Sequence, residues 1–249
     1  MREALWLIVM LKTTINTMNR STLLTIIVAA FLSMAAYSQE ATIALPMLNE
    51  PVSDFQLADQ SGNPVKLSSF NGKNVMLIFP RGMVKKDYWC QICHYQYADL
   101  ADLEKKQKIG EKYNLEVLFV LPYQPDTITK WIGMFPKQME IIEGWKYPKD
   151  SSNLSEGAIK WAITARKLMP KSIHYTDQNI ETPFPILSDF DRKVSTGFKL
   201  YKNEPDAPQN TPAIYIIDKE GTLRFKYLSQ DTKDRPTFEY LFSFMEKLM

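Results

Sequence analysis

With 249 residues, 45% of them hydrophobic and 23% charged, the chain has the make-up of a globular protein of one large or two small domains. That usage excludes collagen, bulk disorder and a multi-span membrane protein. Thirty Lys and Arg against 28 Asp and Glu give a formal charge of +2, no footprint for nucleic acid, and two cysteines are too few for a disulfide framework.

The first segment reads as an address. Residues 21–39 (STLLTIIVAAFLSMAAYSQ) are uncharged, follow Arg20, and end near the small-x-small sequence Ala36-Tyr37-Ser38. A basic start, an apolar run and such a site describe a secretory signal over residues 1–38, with Met18 a plausible true start. The alternative is an uncleaved anchor, since 19 uncharged residues just reach spanning length. Both place the remaining chain outside the cytoplasm, periplasmic or secreted, where thiols meet oxidising conditions. Removing residues 1–38 takes away three basic residues and one acidic, leaving 27 of each sign. Charge steering is not the device of the mature chain.

Residues 39–49 read as a linker, and 50–249 as one domain. Asn74–Phe79 (NVMLIF) is an apolar run after the turn Asn71-Gly72-Lys73 and predicts a buried strand. Behind the cysteines, Tyr97, Leu100 and Leu103 recur at helical spacing, with Gly110 as the expected stop. Leu115–Leu121 (LEVLFVL) predicts the next buried strand. Residues 123–180, holding Trp131, Trp145 and Trp161, follow no simple alternation and read as a helical insertion; within them Ser155–Met169 predicts a helix closed by Pro170.

Phe184–Asp189 predicts a short strand and turn, and Ala213–Ile217 (AIYII) a strong strand. Asp218–Gly221 supplies hairpin chemistry, and Thr222–Leu228 alternates back. A closing helix begins near Pro236, with Phe238, Leu241, Phe242, Met245 and Leu248 as its buried stripe. The order predicts an α/β layer structure around a mixed sheet, its first strand pair parallel and its last antiparallel.

Cys90 and Cys93 stand at the expected strand-to-helix junction. A thiolate at a helix N-terminus is favoured by free N–H groups and the positive end of the dipole. Two intervening residues let one thiol reach back to a mixed disulfide on the other. The spacing predicts Cys90 as the exposed nucleophile and Cys93 as the buried resolving thiol. Arg81, Lys85 and Lys86 lie upstream to lower the thiol pKa, Asp87 opposes them, and Trp89 can shield the sulfur. The bland alternative is a stapling disulfide, which across so short a loop contributes roughly 3 kcal/mol or less.

Trp89-Cys90-Gln91-Ile92-Cys93 resembles the thioredoxin active-site segment, and Phe79-Pro80-Arg81-Gly82 followed by Trp89-Cys90 resembles that of peroxiredoxin-like members of the alkyl hydroperoxide reductase/thiol-specific antioxidant (AhpC/TSA) family. Five additional residues separate Gly82 from Trp89. Val52–Phe55 with Leu67–Phe70, Phe184–Asp189, Asn210–Ala213 with Ile216–Gly221, and Asp231–Pro236 are similar to further family segments in the same order. The resemblance implies a thioredoxin-like fold, with Thr211 and Pro212 shaping a substrate groove and Pro212 as a cis-proline. A trans proline opening a strand remains the alternative.

The family's peroxidases activate peroxide with a Thr or Ser three residues before the cysteine, a Pro seven before, and an Arg on a later strand. Here those places hold Asp87, Met83 and Pro212. The expectation is therefore thiol–disulfide exchange through a redox-active Cys90–Cys93 pair, without cofactor or metal. Its partners would be protein thiols and disulfides or a thioredoxin-like electron donor. Thiol peroxidase activity on peroxides is the alternative, with Arg81 as substitute cation. A further alternative is a c-type haem site, because Cys90–His94 is a formal Cys-x-x-Cys-His match. A copper site of Cys90, Cys93 and His174 has no supporting spacing.

Overall fold

The computed structural model describes residues 42–149, 153–176 and 180–248. The expected signal or anchor segment lies outside them. Among the described residues no helix is long and apolar enough to cross a membrane.

A small hairpin, β1 (Gln56–Ala58) and β2 (Pro64–Lys66), runs into a 3-10 turn at Leu67–Phe70 and then β3 (Asn74–Phe79). A ribbon of β4 (Met83–Lys85) and β5 (Tyr88–Trp89) precedes α1 (Gln91–Gln107) and the single turn α2 (Ile109–Lys112). Then follow β6 (Leu115–Leu121), α3 (Pro125–Gly133), α4 (Phe135–Lys146), α5 (Glu156–Leu168) and β7 (Ile186–Ser188). The chain closes through α6 (Lys193–Gly197), β8 (Tyr201–Lys202), β9 (Gln209–Asn210), β10 (Ala213–Ile217), β11 (Leu223–Leu228) and α7 (Phe238–Met245).

Seven strands form one mixed sheet in the order β11-β10-β3-β6-β7-β1-β2. The β3–β6 and β6–β7 pairs are parallel, whereas β10 runs antiparallel to β3 and β11. The central strands are apolar along their whole length because both faces are covered. Met76, Ile78, Val117, Phe119, Ile214 and Ile216 face one core, shared with α1, α3, α4 and α7. Their alternates Val75, Leu77, Phe79, Leu118, Tyr215 and Ile217 face a second core with Phe55, Val194 and Phe198.

The strands over 74–79, 115–121 and 213–217 and the α5 and α7 helices lie where the sequence pattern puts them. Ser155 and Thr237 cap those two helices, their hydroxyls accepting from the N–H groups of Ala158 and Tyr240. One helix boundary differs. The long helix ends at Lys108, not Gly110: Lys108 adopts a left-handed backbone (φ 48°) and donates to the Glu104 carbonyl. Gly110 instead lies in the next turn, where its N–H donates to the Glu104 carboxylate.

The five additional residues after Gly82 fold as the β4–β5 ribbon, which pairs Met83 with Trp89 and returns the chain to its starting place. The Cys90 N–H accordingly donates to the Gly82 carbonyl at 2.9 Å. Gly82 has φ +83°, and a Cβ there would overlap the Tyr123 phenol, whose oxygen accepts from the Met83 N–H and donates to the Pro208 carbonyl. Left-handed backbone and lack of space both require glycine. Gly82→Ala is expected to cost about 2 kcal/mol or more, read as a lower urea midpoint; an unchanged midpoint would contradict this placement of Tyr123.

Candidate active site

Cys90 is the N-cap residue of α1, with extended backbone (φ −72°, ψ 110°), and Cys93 lies in the first turn. Both are free thiols, and both are buried, at 1% and 0% exposure. The expectation of an exposed Cys90 is thus corrected: it is buried, and among the described residues it lines a pocket with residues of the ribbon before it and of the helices after α1.

The two sulfurs are hydrogen-bonded to each other, and this bond moves their pKa values in opposite directions. Burial by itself would raise the Cys93 thiol. The hydrogen bond from Cys90, the charge of Arg235 and the backbone N–H groups of Arg81 and Gly82 outweigh burial and bring it down to about 6. Cys90 is pushed well above its ordinary value, first by its hydrogen bond to Cys93 and then by burial. The surroundings therefore favour the inner sulfur as the thiolate, whereas the sequence pointed to Cys90 as the low-pKa thiol. The reason is local: the N–H donors of the Arg81-Gly82 turn reach Cys93.

That turn is stitched to a later segment. Gly82 bridges Gln209, the Asn210 N–H donates to the Arg81 carbonyl, and Arg81 Nε donates to the Gln209 side chain. Arg81 Nη1 donates to Thr232 at 3.0 Å. Thr211 and Pro212 follow on the same segment. The bond between them is trans, since no described peptide bond is cis, and this corrects the cis-proline expectation. The trans segment is held by the Thr211 N–H on the Leu200 carbonyl (2.7 Å) and the Ser229 N–H on the Pro212 carbonyl (2.9 Å).

A pocket of about 190 Å³ opens over Cys90, lined by Arg81, Val84, Tyr88, Gln91, Ile92, Trp145, Trp161 and Thr232. Cys93, Thr211 and Pro212 do not line it. Trp89 is buried beside Cys90, its ring edge-on to Tyr123 at 5.5 Å. Asp87 sits exposed at the tip of the ribbon (φ 57°), away from the sulfurs, and Met83 lies in β4. Neither is a hydrogen-bond donor to the pocket from its side chain.

Sequence reasoning missed Arg235, Thr232 and the two pocket tryptophans. Arg235 Nη1 donates to Ser229 Oγ (2.7 Å) and to the carbonyls of Asp231 and Asp234, while its buried Nε and Nη2 have no hydrogen-bond partner. Its charge acts on both cysteines. The Asp231–Pro236 motif was the available signal, without indicating which side chain turned inward.

His94 does not fit a haem ligand. It is fully buried, with Nδ1 3.1 Å from the Cys90 carbonyl, Nε2 3.0 Å from that of Trp131, and its ring packed on Trp131 at 4.4 Å. Neither nitrogen is free for iron, and both cysteines are enclosed. His174 lies in a different cleft, beside Ile173 and Tyr175, so the copper set is not brought together.

Residues 48–138 match the model of the AhpC/TSA family; they contain β1 to α3 and both cysteines. Among solved structures, a peroxidoxin, BcpB, from Mycobacterium tuberculosis is similar at 14% identity and a TM-score of 0.50, covering 82% of this chain and 99% of that one. A mutant of peroxiredoxin 6 from Arenicola marina is similar at 13% identity and 0.51, covering 81% and 73%. At these identities the likeness speaks for the fold. No curated protein matches the chain in sequence. Over the matched residues the chain is similar to the AhpC/TSA family, and the described chain is built on the thioredoxin-like fold that its motifs implied.

Burial also sets a pH dependence at His94, whose pKa desolvation brings down to about 4 despite two carbonyl contacts. The unfolded imidazole takes its proton near pH 6.5, so between these values the unfolded state binds more protons. Stability is full above about pH 6.5, falls as the pH drops, and levels off below about 4, a loss of about 3 kcal/mol. His94→Gln, measured by urea unfolding at pH 7 and pH 4, should lose about 3 kcal/mol less than the parent over that range. Equal losses would place the acid sensitivity elsewhere.

Proposed function

We propose that the mature chain is an exported thiol–disulfide oxidoreductase in which Cys90 and Cys93 form the dithiol/disulfide couple. The observation that carries this reading is a pair of free, buried thiols one helical turn apart at a helix N-terminus, with Cys90 lining a pocket. Export rests on residues 21–39 of the sequence.

The geometry supports a division of labour. Cys90 is the sulfur that lines the pocket, so it meets the substrate. As Cys90 attacks a substrate R–S–S–R′, its proton passes to Cys93, which serves as base. The substrate S–S bond breaks, R′S⁻ leaves and takes the proton from Cys93. The freed Cys93 thiolate then attacks the Cys90–S–S–R bond and expels RS⁻, which is protonated by solvent. Two electrons have moved: one disulfide is reduced and the Cys90–Cys93 pair is oxidised. A dithiol, on a thioredoxin-like donor or free, completes the cycle. Arg235 and the Arg81-Gly82 turn hold the charge on Cys93 in the meantime.

Peroxide reduction is less well supported, because the places of the expected hydroxyl and arginine hold exposed Asp87 and trans Pro212. Cys90→Ser is expected to lower disulfide reduction by at least about a hundredfold, as removal of a nucleophile does. Cys93→Ser should accumulate a mixed disulfide on Cys90, seen as added mass on the intact protein. Retained turnover in Cys90→Ser, or peroxide consumed faster than disulfide by the parent protein, would overturn the reading.

A further inference from the structure

Two departures from the bare thioredoxin-like frame converge on one place. The β4–β5 ribbon brings Val84 and Tyr88 to the Cys90 pocket, and the helices after β6 bring Trp145 from α4 and Trp161 from α5. The tryptophans stand edge-to-face at 5.3 Å and form an aromatic wall. A space of about 190 Å³ suits a small molecule, well short of the several hundred Å³ of a drug-sized ligand site.

The pocket holds two nitrogen-bearing donors, Arg81 and Gln91. Arg81 has Nε on Gln209 and Nη1 on Thr232, and among the described residues no carboxylate pairs with it. Gln91, 5% exposed, lines the same pocket with its Nε2 lacking any hydrogen-bond partner. No carboxylate lines the space. A buried donor without an acceptor and an arginine without a counter-ion call for an anionic group from outside.

The backbone edge that an extended peptide would need is already used. The Thr211 N–H and the Pro212 carbonyl are both committed within the chain. Backbone groups already paired offer nothing to an incoming strand.

We infer that the disulfide reduced at Cys90 belongs to a small, carboxylate-bearing molecule, seated with its body against Trp145 and Trp161 and its carboxylate on Arg81 and Gln91, and not to an extended protein segment. This rests on the disulfide-exchange reading and names its substrate class. The reaction is the exchange already written: R–S–S–R′ becomes RSH and R′SH while the Cys90–Cys93 dithiol becomes a disulfide, and a dithiol reductant restores it.

Three small disulfides of similar size test this on the reduced full chain: dithiodiglycolate (anionic), bis(2-hydroxyethyl) disulfide (neutral) and cystamine (cationic). Each rate of protein thiol loss is divided by that of dithiothreitol with the same disulfide, which removes differences in intrinsic reactivity. Dithiodiglycolate is expected to exceed the neutral disulfide by about tenfold and cystamine to fall below it. Arg81→Gln should bring the dithiodiglycolate rate down to that of the neutral disulfide, and Trp161→Ala should slow it without changing the charge order. Equal normalised rates, or insulin reduced faster than dithiodiglycolate, would overturn the inference while leaving disulfide exchange intact. Failure of all three and of insulin would sink both.

Discussion

One hydrogen bond, between the Cys90 and Cys93 sulfurs, sets the requirements that the surrounding structure meets. A thiol and a thiolate held together out of water need donors on the charged partner, and the fold supplies them from three directions. Strand β3 delivers the Arg81-Gly82 turn, whose N–H groups reach Cys93. The parallel pairing of β3 with β6 requires a crossover, and α1 is that crossover, so its N-terminus opens at the strand's end beside the turn. The loop after β11 delivers Arg235, fixed by Ser229 and two carbonyls so that its remaining nitrogens stay buried.

The same arrangement explains why the outer sulfur is the protonated one. Cys90 occupies the N-cap, where its own N–H is bound to Gly82 and its carbonyl receives both the His94 N–H and the His94 ring. Its side chain faces the pocket and is hydrogen-bonded to Cys93, a bond that together with burial outweighs the charge of Arg235. Charge is thereby kept inside, and the reachable sulfur is activated only when its proton can pass inward.

Much of this fold was legible because its central strands are unbroken apolar runs bounded by turn residues, a pattern that burial on both faces produces. The last helix was legible from its stripe, and the cysteine pair from its place between strand and helix. Other features left no comparable trace. The ribbon over 83–89 is short and half-exposed, so its residues do not alternate clearly. Lys108 takes a left-handed conformation that the sequence assigns more readily to Gly110. Nothing in the pattern of the insertion separates its three tryptophans, yet Trp131 is fully buried whereas Trp145 and Trp161 are half-buried and wall the pocket. The cis-proline came from resemblance alone, and here the segment around Pro212 is tied in trans to Leu200 and Ser229.

Titration of the reduced protein by thiolate absorbance near 240 nm tests this pairing of the two sulfurs most directly. The account predicts that one thiolate appears with a midpoint of about 6, that the second stays protonated well above the ordinary thiol range, and that Arg235→Gln moves the first midpoint upward. Two independent thiols titrating together near the ordinary value of about 8.5, indifferent to Arg235, would contradict it.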